Sequence, residues 1–479
     1  MGNSPTEPGA LPLCVDLDGT LVRTDLSVET LLAWAKQNPG FLFLLPWWLL
    51  KGRAYLKHQV ALQKFPVSSL PYNDEFLTYL SAERQKGRRL YLVTASDHQI
   101  AEKVAAHLAI FEDVLASDGK RNLSGMEKAR VLREKFGDKK FAYAGNARVD
   151  RHVWRFAAEA ILVDPSPCLL KQARKLTTVE RVFGERCNRW TAAWRAMRPH
   201  HWTKNLLVFV PLITAHKFAD AQALAGALSA FVSFCLATSG TYLLNDLLDL
   251  SADRKHPEKR RRPFASGELS LLWGLAIIPV LMTGSLLVSL YAPHAFLPAM
   301  GAYLALTTAY SLYVKEILMM DVIALGILYT LRILAGAMAI QVPVSPWLLA
   351  FSMFWFLSLA FMKRFLELSN ASNGNLTASA RGYMAKDLPL LANLGISCGL
   401  VAVLVFALYA DSGTVSELYL HPRRLWSICL LLVYWISRAW LLAQRGRVQE
   451  DPIRFAVSDR QSYAIGLLAA ILFWVSGAR

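Results

Sequence analysis

Residues 245–267 read NDLLDLSADRKHPEKRRRPFASG. The stretch follows a long apolar run. It sets Asp246, Asp249 and Asp253 ahead of six basic residues, Arg254, Lys255, Lys259, Arg260, Arg261 and Arg262. Spacings of three and four put the aspartates on one face of a helix. Carboxylates on one face repel unless a cation joins them, and magnesium prefers oxygen ligands and bridges to phosphates. Unpaired aspartates at a membrane edge therefore read as a site rather than a solvated helix end. Asn245, Asp246, Asp249 and Asp253 are the expected magnesium ligands, the three aspartates carrying the catalysis. Lys259 and Arg262 are expected to take phosphate oxygens, and the remaining basic residues to anchor the cytoplasmic side.

Working outward, nine apolar runs follow residue 200: about 204–217, 222–244, 271–291, 295–313, 317–340, 346–362, 388–410, 424–443 and 461–477. Pro211 interrupts the first, so eight spans is the alternative. If the N-terminal part is cytoplasmic, the inner loops hold fifteen Lys and Arg against three outside. That asymmetry supports an inside N-terminus. A second acid, Asp321, lies early in the fifth run, with Arg332 three turns later. The two form either a structural ion pair or a second half-site facing the first, Asp321 as a metal ligand and Arg332 on phosphate.

Composition agrees with a mixed chain. Of 479 residues, 54% are hydrophobic and 18% charged, with mean hydropathy +0.30. That is too apolar for a soluble enzyme and too charged for a purely membrane chain. A net charge of +16 points to cytoplasmic loops and membrane lipids. No nucleic-acid signature is present. The six cysteines show no paired spacing, as expected of reduced thiols.

Before residue 200 the pattern changes. LCVDL (13–17), RLYLVTA (89–95), DVLAS (113–117), FAYAG (141–145) and AILVD (160–164) read as buried strands, most of them separated by charged helical segments. Such alternation predicts a Rossmann-like parallel sheet with helices on its faces. Residues 25–85 form a helical insert. Within it FLFLLPWWLL (41–50) is too short to span a bilayer and either packs in a cap or rests on the membrane. LCVDLDGTLVRTD puts Asp16 and Asp18 at the end of the first strand, where α/β sheets bind ligands. One carboxylate can attack phosphorus while the other handles the proton.

This DxDGT segment resembles the haloacid dehalogenase superfamily. The resemblance implies a phosphate-binding hydroxyl at Thr94 and a neutralising lysine at Lys128. It implies a metal loop at Gly145, Asn146 and Asp150, with magnesium held by Asp16, Asp150 and the carbonyl of Asp18. Asn146 stands where an aspartate is usual, which removes one negative charge from the metal site.

The NDxxDxxxD stretch resembles the UbiA superfamily of intramembrane transferases, which implies nine helices. RPHHWTKNLLVF (198–209), YSLYVKEILMMDVIALGILYTLRILAGA (310–337), MKRFLEL (362–368) and EDPIRFAVSDR (450–460) narrow the likeness to the branch containing decaprenyl-phosphate phosphoribosyltransferase. That branch implies phosphoribosyl diphosphate and a polyprenyl phosphate as substrates and a cell-wall precursor as product. Two further phosphates need charge, which Lys204, Lys315, Lys363 and Arg364 offer, although Lys363 and Arg364 also suit a membrane anchor. Glu367 would orient Lys363, and Trp202 belongs to the interfacial belt or stacks on substrate.

The expected architecture is thus multi-domain. An α/β haloacid dehalogenase-like phosphatase domain (10–185, cap 25–85) precedes an all-α membrane transferase domain (195–479) of about nine helices. The expected setting is the bacterial inner membrane. The alternatives are prenyl transfer from a diphosphate to an aromatic or other small acceptor, and a non-catalytic anchor or transporter.

Overall fold

The structure is a computed structural model and describes residues 11–38, 40, 44–52, 55, 56, 58, 59, 67–118, 121–184, 188–372, 382–413, 415, 419–448 and 451–477. The chain forms two compact units. Met1–Arg198 and Tyr242–Pro279 make the first, Pro199–Thr241 and Val280–Arg479 the second.

The first unit is built on Leu13–Val15 (β1), Leu90–Asp97 (β2), Asp113–Ser117 (β3), Ala142–Gly145 (β4), Glu159–Val163 (β5) and Thr178–Phe183 (β6). They form one parallel sheet in the order β3-β2-β1-β4-β5-β6. The chain steps from β1 out to β3, then returns to the other side of β1 to lay down β4. The crevice beyond the ends of β1 and β4 is therefore the switch point where ligands bind in such sheets.

Alternate residues of each strand feed opposite faces. Leu13, Val15, Leu90 and Leu92 join one core, and Cys14, Tyr91, Val93 and Tyr143 the other. The expected sheet is present, with one addition. β6 was not legible because TVERVF is mostly exposed and carries Glu180 and Arg181, as suits an edge strand.

Helices Leu26–Gln37 (α1), Asp74–Gln85 (α2), His98–Leu108 (α3), Met126–Phe136 (α4), Pro167–Leu176 (α5) and Arg189–Met197 (α6) complete the α/β part. Asp25 starts α1 by accepting the Ser27 and Val28 N–H groups. Of the run 41–50, positions 41–43 lie outside the described residues. Leu45–Leu50 is a short helix with Trp47 and Leu50 exposed and Trp48 stacked on Trp34 at 5.1 Å.

The remaining helices are Ala221–Leu248 (α7), Leu250–Lys255 (α8), Leu271–Ser289 (α9), Phe296–Leu312 (α10), Met320–Ala339 (α11), Pro346–Ser372 (α12), Leu388–Ala410 (α13), Trp426–Gln444 (α14) and Arg460–Ser476 (α15). Among the described residues, six helices are long and apolar enough to cross a membrane, not the nine expected. The other three expected runs are shorter or interrupted helices. Residues 204–217 form a 3-10 stretch, Pro199–Phe209, and the short helix Val210–Thr214, because Pro211 lacks the N–H that would carry one run into the other. α10 and α15 have 17 residues each, about 25 Å at 1.5 Å per residue against roughly 30 Å of hydrocarbon.

Close packing in the second unit relies on small residues. A Cβ at Gly395 would meet the Trp440 ring at 2.1 Å.

Candidate active sites

The first site sits at the β1/β4 switch point. Asp16 is buried, and its Oδ1 accepts a bond from Lys128 Nζ at 2.8 Å. Lys128 also donates to the Tyr143 hydroxyl at 2.9 Å, and that hydroxyl donates to Asp150 Oδ1 at 3.2 Å. Asp150 Oδ2 accepts the backbone N–H groups of Asn146 and Ala147 at 3.0 and 2.8 Å. Burial pushes the Asp150 carboxyl up to about 6, Asp16 pushing the same way, while Lys128 opposes. Burial alone would lower Lys128, but the Asp16 and Asp150 charges hold its amine above the ordinary value. Two buried carboxylates that repel and share one lysine suit a further cation, so the residues fit magnesium.

Asp18 takes the other role. Its Oδ1 accepts the Leu26 N–H at 2.9 Å and its Oδ2 the Ser96 hydroxyl at 2.5 Å. Burial first, then Asp25, raises its carboxyl to about 7, so it can hold a proton near neutrality. Thr94 is wholly buried, its hydroxyl accepting the Ser96 N–H at 3.0 Å. Asn146 shows what its amide contributes: Nδ2 donates to the Gly19 carbonyl at 2.7 Å. A carboxylate cannot make that bond, so the departure from the usual aspartate ties the loops after β1 and β4 together. Gly19 sits at φ +77, and a Cβ there would meet Asn146 Nδ2 at 2.2 Å.

The second site is the aspartate stretch, also in the first unit. Asp246 lies at the end of α7 and Asp253 on α8, both buried. Arg262 Nη1 bridges them, at 3.2 Å to Asp246 Oδ1 and 2.6 Å to Asp253 Oδ2. Arg198 also pairs with Asp246 Oδ1. Asp246 Oδ2 is buried with no hydrogen-bond partner among the described residues. Such an orphaned oxygen is costly unless a ligand fills it. Burial raises the Asp253 carboxyl, with Arg262 opposing.

The third aspartate departs from the group. Asp249 sits at the α7/α8 junction, and its Oδ1 accepts from Lys36 Nζ of α1 at 2.6 Å. Arg254 pairs with Glu29 of α1, both side chains nearly buried, with Nη2 to Oε2 at 2.9 Å. Asn245 and Lys259 are half-buried, Lys259 close enough to Asp253 to act on its charge. Among the described residues no three acidic, His or Cys side chains converge on one ion position.

The third cluster belongs to the second unit. Asp321, fully buried at the start of α11, pairs with Arg364 through Oδ2 and accepts the Tyr383 hydroxyl through Oδ1 at 2.7 Å. Arg364 also pairs with Glu367 and donates to Tyr310 at 2.8 Å. The expected partner Arg332 lies elsewhere. It bonds Asn205 Oδ1 at 3.0 Å and the Tyr303 hydroxyl at 2.7 Å. Lys204 pairs with Asp451 at 2.6 Å, and Lys363 lies within electrostatic reach of Lys204, Glu367 and Asp451. Glu367 pairs with Arg364 and also lies within electrostatic reach of Lys363. Lys315 is half-buried in the turn Val314–Glu316. The Trp202 indole donates to Ser239 at 3.0 Å.

Comparison with known proteins places these clusters in a family. Residues 206–475 match the UbiA prenyltransferase family. The chain belongs to it. Residues 13–155 match the haloacid dehalogenase-like hydrolases, so the UbiA domain follows a haloacid dehalogenase-like domain. An uncharacterized protein, y4nM, of Sinorhizobium fredii is 36% identical over 97% of this chain and 90% of its own. The nodulation protein NoeC of Azorhizobium caulinodans is 37% identical over 58% of this chain and 91% of its own. Decaprenyl-phosphate phosphoribosyltransferase of Mycolicibacterium smegmatis is 31% identical over 56% of this chain and 86% of its own. With its apolar helices, the UbiA domain makes this an integral membrane protein.

Sequence reasoning missed Tyr143, Ser96, Arg198 and Lys36. Arg198 opens the quoted RPHHWTKNLLVF stretch, so its motif was the available signal. Tyr143 lies in the quoted FAYAG strand, close in sequence to Asp150, whereas Lys36 gave no signal because its partner Asp249 is distant.

Proposed function

We propose that this UbiA protein transfers a phosphoribosyl group from phosphoribosyl diphosphate to a polyprenyl phosphate. Its haloacid dehalogenase-like domain then removes the 5-phosphate from the product. The observation that carries the transfer step is the buried Asp246, whose open oxygen lies on a carboxylate already held by two guanidiniums. The likeness to enzymes named for decaprenyl-phosphate phosphoribosyl transfer supports this donor and acceptor.

In the transfer, the ribose C1–O bond breaks as diphosphate leaves, and a lipid phosphate oxygen forms the new bond to C1. The acceptor is already anionic, so no strong base is needed. Arg198 and Arg262 fix Asp246 and Asp253, and Lys259 takes a diphosphate oxygen. In the second unit, Lys204, Lys315, Lys363 and Arg364 offer further positive charge of a kind suited to phosphate. Asp321 enters as the anchor of Arg364, because both its oxygens are engaged. Asp246, through its open oxygen, would contact magnesium here, and Asp16, Asp150 and the Asp18 carbonyl would hold it in the other domain. In both places the bound ion supplies neutralisation of phosphate charge.

In the dephosphorylation, Asp16 attacks the phosphorus and Asp18 gives its proton to the departing sugar oxygen. Asp18 then takes a proton from the water that splits the Asp16 acyl phosphate. Thr94 and Lys128 hold the phosphoryl oxygens. The expected setting is the bacterial inner membrane with this domain in the cytoplasm.

The test is the full chain in detergent, given a polyprenyl phosphate and phosphoribosyl diphosphate labelled at the 5-phosphate. Labelled lipid should form and then release labelled inorganic phosphate, and Asp16→Asn should keep the first and lose the second. Phosphate release by Asp16→Asn at the parent rate would refute the second step. The family's prenyltransferase character favours one other reading, prenyl transfer to an aromatic or other small acceptor. Product from prenyl diphosphate and hydroxybenzoate, with none from phosphoribosyl diphosphate, would establish that reading instead.

A further inference from the structure

A cavity of roughly 370 Å3 opens over the first site. Asp18, Gly19 and Asn146 line one side, Gly267, Ser270 and Trp273 another. The second wall is unusual in origin. It lies within the segment that matches the UbiA family, and Trp273 stands in the first turn of α9, a helix long and apolar enough to enter a membrane. Both walls belong to the first unit. The volume suits a small organic headgroup.

The cavity's carboxylates are largely engaged. Asp25 caps α1, Glu268 pairs with Arg195, and Asp164 faces Arg23 at 3.9 Å. Arg189 differs: among the described residues it has no carboxylate partner, and its guanidinium lies 5.9 Å from the centre of the Trp273 ring. A guanidinium fork matches phosphate oxygens, and an indole face suits the C–H face of a sugar.

Apolar surface continues from this wall. The Trp190 ring meets Trp273 edge-on at 5.6 Å and is 72% exposed. Trp194, one turn further along α6, is exposed as well, and so are Leu272 and Leu275 on α9. Exposed tryptophans beside a membrane-entering helix fit the interface between headgroups and hydrocarbon.

We propose that this cavity takes a phosphate monoester carried on a lipid, with Arg189 and Trp273 as its specificity residues. The monoester lies at Asp16 and Asp18. The sugar stacks on Trp273, the phosphodiester to the lipid meets Arg189, and the isoprenoid chain leaves along Leu272, Leu275 and Trp190. The inference rests on the phosphatase reading above and adds the wall that selects its lipid-linked substrate.

The experiment compares two esters on the full chain in detergent micelles, farnesyl-phosphoryl-ribose 5-phosphate and free ribose 5-phosphate, by released inorganic phosphate. The parent should prefer the lipid-linked ester by at least about 100-fold in kcat/KM. Trp273→Ala and Arg189→Gln should each shrink that preference about tenfold, chiefly through KM. Trp273→Phe should retain most of it, which separates lost stacking from lost folding. Equal kcat/KM for the two esters, or variants that keep the full preference, would overturn the proposal while leaving the phosphatase reading intact. Hydrolysis of neither ester above the Asp16→Asn level would overturn both.

Discussion

Asp246 and Asp321 are both buried aspartates at helix ends, and both face arginine. They differ in one oxygen. Asp321 is saturated, with Arg364 on Oδ2 and Tyr383 on Oδ1. Asp246 receives Arg198 and Arg262 on Oδ1, and its Oδ2 has no partner among the described residues. A saturated buried pair holds structure, whereas a supported but incomplete one is poised for a ligand. Two acidic motifs that look alike in sequence therefore have different work.

The sharpest way to break this contrast is to neutralise each acid in turn. Asp246→Asn should cut transfer by about 1,000-fold or more while lowering the melting temperature less than Asp321→Asn does, because the Arg198 and Arg262 side chains it leaves are part-exposed. Asp321→Asn should lower the melting temperature clearly and reduce transfer less. The reverse pattern, read by thermal unfolding beside the transfer assay, would sink the contrast.

Next comes removal of the cations. Arg364→Ala leaves Asp321 buried without its counter-charge and should cost about 3–5 kcal/mol. Arg262→Ala should cost less, since Arg198 still serves Asp246 and Lys259 lies close enough to act on Asp253. Equal losses in denaturant titrations would show that both acids are structural.

Much of this was legible because the motifs are contiguous. LCVDLDGTLVRTD carries its strand, its turn and both acids together, and the aspartate stretch carries its own arginines. Contacts between distant segments were not legible. Lys36 meets Asp249 from 213 positions away, and nothing local to WAKQN marks that lysine. The one-face reading of Asp246, Asp249 and Asp253 assumed an unbroken helix, whereas α7 and α8 meet at Asp249, which turns to Lys36. The Asp321–Arg332 pairing failed similarly. Spacing along α11 gave a common face, but Tyr303 and Asn205 from other elements claimed the arginine. Hydropathy did not report that a 3-10 stretch replaces a continuous helix over Pro199–Phe209.

A smaller effect is expected at Tyr383→Phe. It removes one hydrogen bond to a charged acceptor and should cost about 2 kcal/mol, sharpening the view that Asp321 is saturated. Smaller again is a pH effect at Lys204–Asp451. Burial alone would raise the Asp451 carboxyl, but Lys204 overrides it and holds the group down at about 2. A depressed carboxylate contributes stability above its unfolded value near 4 and loses it as pH falls toward 2. Up to roughly 2 kcal/mol should vanish across that window and be absent from Asp451→Asn. An identical acid profile in the variant would remove this pair from the electrostatics of the second unit.

The most direct measurement is the substrate swap. Membranes containing the full chain receive either phosphoribosyl diphosphate with polyprenyl phosphate, or prenyl diphosphate with hydroxybenzoate. The expected result is lipid-linked phosphoribose from the first pair, lost in Asp246→Asn, and nothing from the second. Prenylated hydroxybenzoate with no lipid-linked phosphoribose, or undiminished phosphoribosyl transfer in Asp246→Asn, would contradict it.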